Sequence, residues 1–459
     1  MEPMGSARAA QPRPRARLQR FSGLRAFLLL LFRRIVAIYF RDIEVAGVVP
    51  PKTTGGRLFA ANHVNGLVDP ILVLTQAPCD ISPIAKSTLW KIPGLKWLLE
   101  AADAVPIVRR RDVPGKSADD NEAVFSRVAT HLATGGNILI FPEGTSHNEP
   151  HLLALKSGAG RMLARAAQEP EGMPLTFQAV ALEFDARDVF RSRCLVLFGP
   201  PRALSDLPAG DVAEEVTKII QDDLSELLVE GATWDERVLI VRVAEMFAND
   251  VKDRSLEQMN VLGRRIEQAR KVLAKASPET VKSIEERVRK YVAAVDAEET
   301  TDATVAKVAR GEASELEPRR LARAAGMILT LPLALVAVVL YFLPYQLPRF
   351  VTKKIGGDPD EASTYKLGVG LVVYPVWAAV LIAIAFVRLE STPAIAATTG
   401  ILAAPFAALP WLDRWDRLAV RMRVLAPSEE RRERLEELAK ERTAVMEALE
   451  AARVAAEGS

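Results

Sequence analysis

His63 and Asp69 are the side chains of this sequence best suited to activate a hydroxyl group. They lie in Asn62-His63-Val64-Asn65-Gly66-Leu67-Val68-Asp69-Pro70, between an apolar, strand-like run, Arg57-Leu58-Phe59-Ala60-Ala61, and a second apolar run, Ile71-Leu72-Val73-Leu74. A carboxylate that holds one nitrogen of an imidazole fixes its tautomer and stabilises the imidazolium, while the other nitrogen takes a proton from a substrate. On an ideal helix, residues six apart stand roughly 240° apart around the axis and share no face. The Asn65-Gly66 pair instead predicts a turn that lets the two side chains meet. The same stretch suits a strand–turn–helix junction with Asp69 as a cap, and alone it does not separate the two readings.

Two further segments break the tie. Phe141-Pro142-Glu143-Gly144-Thr145-Ser146 follows the strand-like Asn137-Ile138-Leu139-Ile140. Between the motifs lies Ala104-Val105-Pro106-Ile107-Val108-Arg109-Arg110-Arg111-Asp112. In this order the blocks resemble the glycerolipid acyltransferase family, which moves an acyl chain from a thioester to a glycerol-phosphate hydroxyl. The resemblance covers about residues 40–245, and its first and third blocks together are specific. The sequence departs from the family pattern at several positions. Five residues separate His63 from Asp69 where four are usual, and Pro70 follows. That longer form resembles the branch of the fungal glycerol-3-phosphate/dihydroxyacetone-phosphate acyltransferases, as do Phe190-Arg191-Ser192-Arg193 and Leu197-Phe198-Gly199-Pro200-Pro201. Asp103 stands where a glycine is expected before the arginine block, and Ala179 where the fourth block has a proline.

With that resemblance, His63 is the candidate general base and Asp69 its orienting carboxylate. No Gly-x-Ser-x-Gly element or activated cysteine is evident, so direct attack on the thioester without an acyl-enzyme is the simpler route. Arg109, with Arg110 or Arg111 behind it, is a candidate bidentate holder of an acceptor phosphate, against the alternative of a solvated or headgroup-facing patch. The resemblance implies that Glu143, Gly144 and Thr145 help bind the acceptor, and the small Gly144 would let a phosphate approach backbone N–H groups. Lys156, in Leu155-Lys156-Ser157-Gly158, is either a second phosphate ligand or a surface lysine. His131, His147 and His151 read as bystanders. A zinc site built from His63, His147 and His151 would match no usual ligand spacing, so neither a metal nor another cofactor is expected.

At 459 residues with a formal charge of +2, the chain has room for a catalytic domain and a second region, and carries no general field for a polyanion. No nucleic-acid partner is expected. Cys79 and Cys194 are far apart in sequence, which indicates neither a disulfide scaffold nor a zinc site and fits a reducing compartment.

Strand-like runs at Ile138–Phe141, Phe177–Phe184 and Cys194–Phe198 alternate with helical ones at Val124–Leu132 and Gly158–Ala167. The alternation predicts an α/β domain whose sheet is covered by helices, with its ligands at strand ends. Residues 1–22 read as a disordered basic N-terminus and 23–40 as an amphipathic helix lying in the membrane interface, or else packed on the catalytic domain. The acyltransferase domain then spans 41–233. Residues 234–318 read as a helical region, most simply a solvated antiparallel hairpin with a restart at Ser277-Pro278-Glu279. Ala324–Leu347 and Leu367–Val387 are uncharged and long enough to cross a bilayer. A third segment, Ser391–Leu412, carries Pro393, Pro405 and Pro410, which predict a break or a re-entrant hairpin. Residues 319–412 are thus a transmembrane region and 413–459 a C-terminal helical tail whose leucines and alanines could pair with the hairpin. Arginines before the first span and after the last segment place both flanks in the cytoplasm and favour two crossings.

The reading is a membrane-bound O-acyltransferase of phospholipid synthesis. It uses acyl-CoA or acyl-carrier protein as donor and glycerol-3-phosphate or 1-acyl-glycerol-3-phosphate as acceptor. Its expected location is the inner (cytoplasmic) membrane, integral and among membrane lipid, with the catalytic domain on the cytoplasmic face. The rivals are an acyltransferase for another lysophospholipid or amino-lipid, and a non-catalytic membrane scaffold.

Overall fold

In this computed structural model, residues 22–52, 55–92, 94–108, 122–170, 172–207, 211–312, 318–355, 361–425 and 429–457 are described. The basic residues 1–21 and the arginine triplet at 109–111 lie outside them.

Helix α1 (Ser22–Tyr39) leads into strand β1 (Asp42–Gly47). Then come β2 (Gly56–Ala61), α2 (Val68–Gln76), β3 (Ser82–Lys86), α3 (Leu95–Ala101), β4 (Val105–Ile107), α4 (Glu122–Ala133), β5 (Asn137–Ile140), α5 (Gly158–Ala166), β6 (Leu175–Phe184), β7 (Arg193–Ala203) and α6 (Val212–Leu227). The strands form one seven-stranded sheet in the order β1-β7-β6-β2-β5-β3-β4. It is parallel except where β6 meets β7, the two consecutive strands joined by a short loop.

Alternation within the strands sorts the core into two layers, because successive side chains point to opposite faces. Leu58, Ala60, Ile138, Phe177 and Leu197 face α4, α5 and α6. Phe59, Ala61, Leu139, Val180 and Phe198 face α1 and α2, where Val36, Tyr39, Phe40 and Leu72 complete the second layer. This is the helix-covered α/β sheet expected from the sequence. The pairing of Ala60 with both Ile140 and Ala179 brings the C-terminal ends of β2 and β5 side by side. The His63 and Glu143 motifs begin at those two ends.

Residues 234–309 form four helices rather than one hairpin: α7 (Trp234–Val251), α8 (Leu256–Ala276), α9 (Pro278–Ala297) and α10 (Asp302–Ala309). The missed break between α7 and α8 contains neither proline nor glycine. It is made by Lys252 in the left-handed region (φ 59°) and by Ser255, whose hydroxyl caps α8 at the Gln258 N–H. Helix α11 spans Pro318–Ile355, α12 Ala362–Arg388, α13 Ser391–Leu425 and α14 Glu429–Glu457. Val243, Tyr291, Val295 and Val305 pack with Leu438 and Val445 of α14, so the tail closes a helical bundle.

Among the described residues, two helices are long and apolar enough to cross a bilayer, over Ala334–Lys354 and Ala362–Arg388. Only 6% of the second stretch is buried within the protein, unlike the core helix of a soluble domain. The third apolar segment is not broken: α13 runs unbroken through its prolines and past the expected boundary at 412. Pro393 sits in the first turn, where its missing N–H removes no intrahelical bond. Farther along, Ile401, Ala404 and Ala408 pack on Ala337 and Tyr341 of α11, which holds the helix together around its remaining prolines.

Candidate active site

Leaving β2, the chain turns through Asn65 and Gly66 (φ 41°) before α2 begins. That turn brings His63 Nδ1 to 3.0 Å from Asp69 Oδ2. The same oxygen accepts the backbone N–H groups of Val64 at 2.8 Å and Asn65 at 2.7 Å, so Asp69 shapes the loop as well as facing the ring. With the carboxylate as acceptor, the ring proton belongs on Nδ1 and Nε2 is left as the base. The Asp69 side chain is fully buried, whereas that of His63 is 18% exposed, the arrangement for a base that must reach a substrate. Phe141 stacks on the imidazole with centroids 4.2 Å apart and fixes its plane. Of the alternatives left open by the sequence, the structure shows the meeting of the two side chains and not the cap: Asp69 lies in the first turn of α2, whose N-cap position is Leu67 and carries no side-chain cap.

Glu143 enters from the end of β5. Its Oε1 accepts the His63 N–H at 2.7 Å, and its Oε2 accepts the Leu153 N–H at 2.9 Å and the Nε2–H of His147. This carboxylate is fully buried, so its contacts join the β2 and β5 loops. Gly144 is left-handed (φ 73°), and the Lys156 side chain occupies the space a Cβ would need. The face of Gly144 that the sequence suggested for a phosphate is thus covered by the Lys156 ammonium group, and the two residues sit together. Thr145 donates its hydroxyl to the Ser146 carbonyl at 3.0 Å. Arg109 lies outside the described residues.

Sequence reasoning passed over three residues here. His147 was read as a bystander. Its Nδ1 accepts the Glu149 N–H at 3.1 Å, which puts its proton on Nε2 facing Glu143, and its own N–H donates to the His63 carbonyl at 3.2 Å. Asn62 exchanges two bonds with the backbone of Leu182 on β6, at 2.7 and 3.1 Å. Arg187, in the β6–β7 loop, reaches the carbonyls of Val64 and His147 at 3.1 and 3.3 Å. The only sequence cue for His147 was its four-residue spacing from Glu143, which carries meaning on a helix but not in a loop. A cavity of about 360 Å³ adjoins the loop, lined in part by Asn62, Val64, Glu143, His147 and Arg187, with Trp234 of the bundle on its far wall. Of the remaining histidines, His151 lines this cavity, while His131 packs its ring against Gly136.

Residues 42–181 match the family model described as Acyltransferase. Glycerol-3-phosphate O-acyltransferase 2 of Saccharomyces cerevisiae is 29% identical over 141 residues, covering 29% of this chain and 19% of that protein. Lyso-ornithine lipid O-acyltransferase of Pseudomonas aeruginosa is 32% identical over 138 residues, covering 30% of this chain and 47% of that protein. The chain thus spans about a fifth of the first relative and about half of the second. The crystal structure of a 1-acyl-sn-glycerophosphate acyltransferase from Thermotoga maritima is similar at 19% identity and a TM-score of 0.31, over 43% of this chain and 78% of that one, too slight a likeness to argue from. Over residues 42–181 the chain carries a domain of the acyltransferase family, related in sequence to the glycerolipid acyltransferases.

Proposed function

We propose that this protein is a membrane-bound O-acyltransferase that moves a fatty acyl group from acyl-CoA or acyl-carrier protein to glycerol-3-phosphate or 1-acyl-glycerol-3-phosphate. The observation that carries the reading is the His63–Asp69 pair at the mouth of adjacent strands, within the stretch matched by the acyltransferase family. His63 Nε2 takes the proton of the acceptor hydroxyl as that oxygen attacks the thioester carbonyl. Collapse of the tetrahedral intermediate forms the ester and expels the thiolate, which recovers the proton from the imidazolium. Asp69 stabilises that imidazolium and holds its tautomer. Lys156 and Arg109 are the proposed cations for the acceptor phosphate, beside Gly144 and Thr145. Glu143 serves by tying the His63 and His147 loops together.

The length and apolar character of α11 and α12 support attachment to a membrane, and the proposed orientation has the sheet and the bundle on the cytoplasmic side. The chain then divides as a basic N-terminus (1–22), an interfacial helix (23–40), the acyltransferase domain (41–233), a helical region (234–318), the membrane region (319–412) and a tail (413–459). A second acceptor class has a specific observation in its favour, the relative named for lyso-ornithine lipid. Purified protein offered glycerol-3-phosphate, 1-acyl-glycerol-3-phosphate, a lysophospholipid and a lyso-amino-lipid, with products identified by mass, separates these. No transfer to any of them would count against the reading.

A further inference from the structure

The loop that shapes the His63–Asp69 pair is also held from far along the chain. Leu67, at the N-cap position of α2 two residues before Asp69, has no side-chain cap from its own segment; its N–H donates to the Thr364 hydroxyl of α12 at 2.9 Å. The neighbouring Ser363 is fully buried and donates to the Arg187 carbonyl at 2.6 Å. Asn65 Nδ2 donates to that same carbonyl at 3.3 Å, and Arg187 in turn holds the Val64 carbonyl. Tyr39, at the end of α1, completes the set by donating its hydroxyl to Ser363 Oγ at 2.9 Å. Lys366 binds the Asp188 carbonyl, and Leu367 is buried in the layer under α2. The first turn of a membrane-grade helix is therefore bonded to both sides of the loop that presents His63.

We infer that Ser363 and Thr364 are positioning residues for the His63–Asp69 pair, acting through Leu67, Arg187 and Asn65. The inference rests on the proposed acyl transfer for its kinetic readout only. Both residues lie beyond the family-matched stretch at 42–181, so the membrane helices supply a part of the site that the domain alone lacks. A hydroxyl whose loss frees the half-buried Leu67 N–H lets the start of α2 move. Displacing a catalytic group by about an ångström costs roughly a hundredfold in rate.

The experiment uses the full-length protein in detergent, with His63→Ala measured alongside. Thr364→Val, which keeps the shape and removes the acceptor, is expected to lower kcat roughly ten- to a hundredfold with little change in either KM. Thr364→Ser, which restores the hydroxyl, is expected to return most of that loss, and Ser363→Ala to act in the same direction as Thr364→Val. Hydrogen exchange at the amides of residues 64–67 reads the same bonds without turnover. It should quicken in Thr364→Val but not in Thr364→Ser. Should Thr364→Val fail to fold, Thr364→Ala is read by the same criteria. Unchanged exchange and kcat in Thr364→Val, or equal damage from the serine variant, would overturn the assignment. Faster exchange in Thr364→Val, together with a wild-type protein that transfers no acyl group, would leave the positioning contact standing and remove the proposed function.

Discussion

Glu143 shows how a motif residue can carry two different readings. The family resemblance assigns it to acceptor binding, whereas its carboxylate is fully buried and engaged with His63, His147 and Leu153. Glu143→Gln leaves one carbonyl oxygen for three donors, and an unmet buried donor costs about 1–3 kcal/mol. The variant should therefore lose thermal stability and kcat while the acceptor KM changes little. A raised acceptor KM with kcat intact would restore the direct-contact role. His63→Ala should lower kcat by roughly 10² to 10⁴, the usual share of a positioned general base, in a protein whose melting temperature is nearly unchanged. Near-normal turnover would remove His63 from the mechanism. His63 and Asp69 were legible because a turn-forming Asn-Gly pair between them supplied a mechanism for their meeting. His147 and Arg187 were not, because their contacts depend on two loops brought together by the register of β2, β5 and β6. No spacing in the chain encodes that register.

Elements were legible where a period was clean. The runs around Ile138, Phe177 and Cys194 became β5, β6 and β7. The single-hairpin reading failed at α7 and α8, where a left-handed lysine and a serine cap do the work usually signalled by glycine or proline. Helix α1 is mixed: Leu28, Val36 and Tyr39 are buried, while Phe27 and Leu30 are more than half exposed, so one face packs and another is free for a lipid surface. Tyr39 ties this helix to α12, and burial pushes its hydroxyl up to about 12, in spite of its bond to Ser363. A folded-state value raised above the unfolded one means that the stabilisation is complete below about pH 10 and is lost as pH rises through about 12. Tyr39→Phe should therefore flatten the loss of stability across that alkaline window, followed by unfolding in detergent. A variant curve that parallels wild type would show that Tyr39 does not titrate there.

At the scale of the molecule, the seven-stranded sheet, the helical bundle and the apolar helices are interlocked. Arg191 holds Asp413 of α13 and also the carbonyls of Ala37 and Ile38, closing the end of α1. In the bundle, Arg442 of α14 reaches Asp302 at 2.8 Å and the Met246 carbonyl at 2.9 Å, and Asp302 also accepts from Tyr291 and Asn249. Removing one partner of a buried pair leaves a charge without compensation and costs about 3–5 kcal/mol. Arg442→Ala should thus destabilise the bundle by that order in denaturant unfolding, and adding Asp302→Asn should recover part of it. Equal stability of the single variant and wild type would show that the pair contributes nothing. The tail was legible as a helix able to pair with its neighbours. The pairing suggested with the preceding helical hairpin is the one that forms, with α14 reaching back past the whole apolar region to pack on α9 and α10. A truncation after Arg310 would for that reason strip the bundle of its last helix as well as its membrane spans.

The distance in sequence between these partners sets an order of events during synthesis. The sheet is complete once β7 ends at Ala203, yet Thr364 and Arg442 leave the ribosome much later. Chains grow at roughly 5–20 residues per second, and domains fold in the order they emerge. A nascent chain therefore holds a finished sheet for roughly 10–30 seconds while Leu67 and Arg187 still lack their partners on α12. The loop that presents His63 thus acquires its final hold only once the first turn of α12 has emerged. Chains stalled before residue 361 should accordingly fold their sheet but transfer little acyl group, and those released beyond residue 457 should do both.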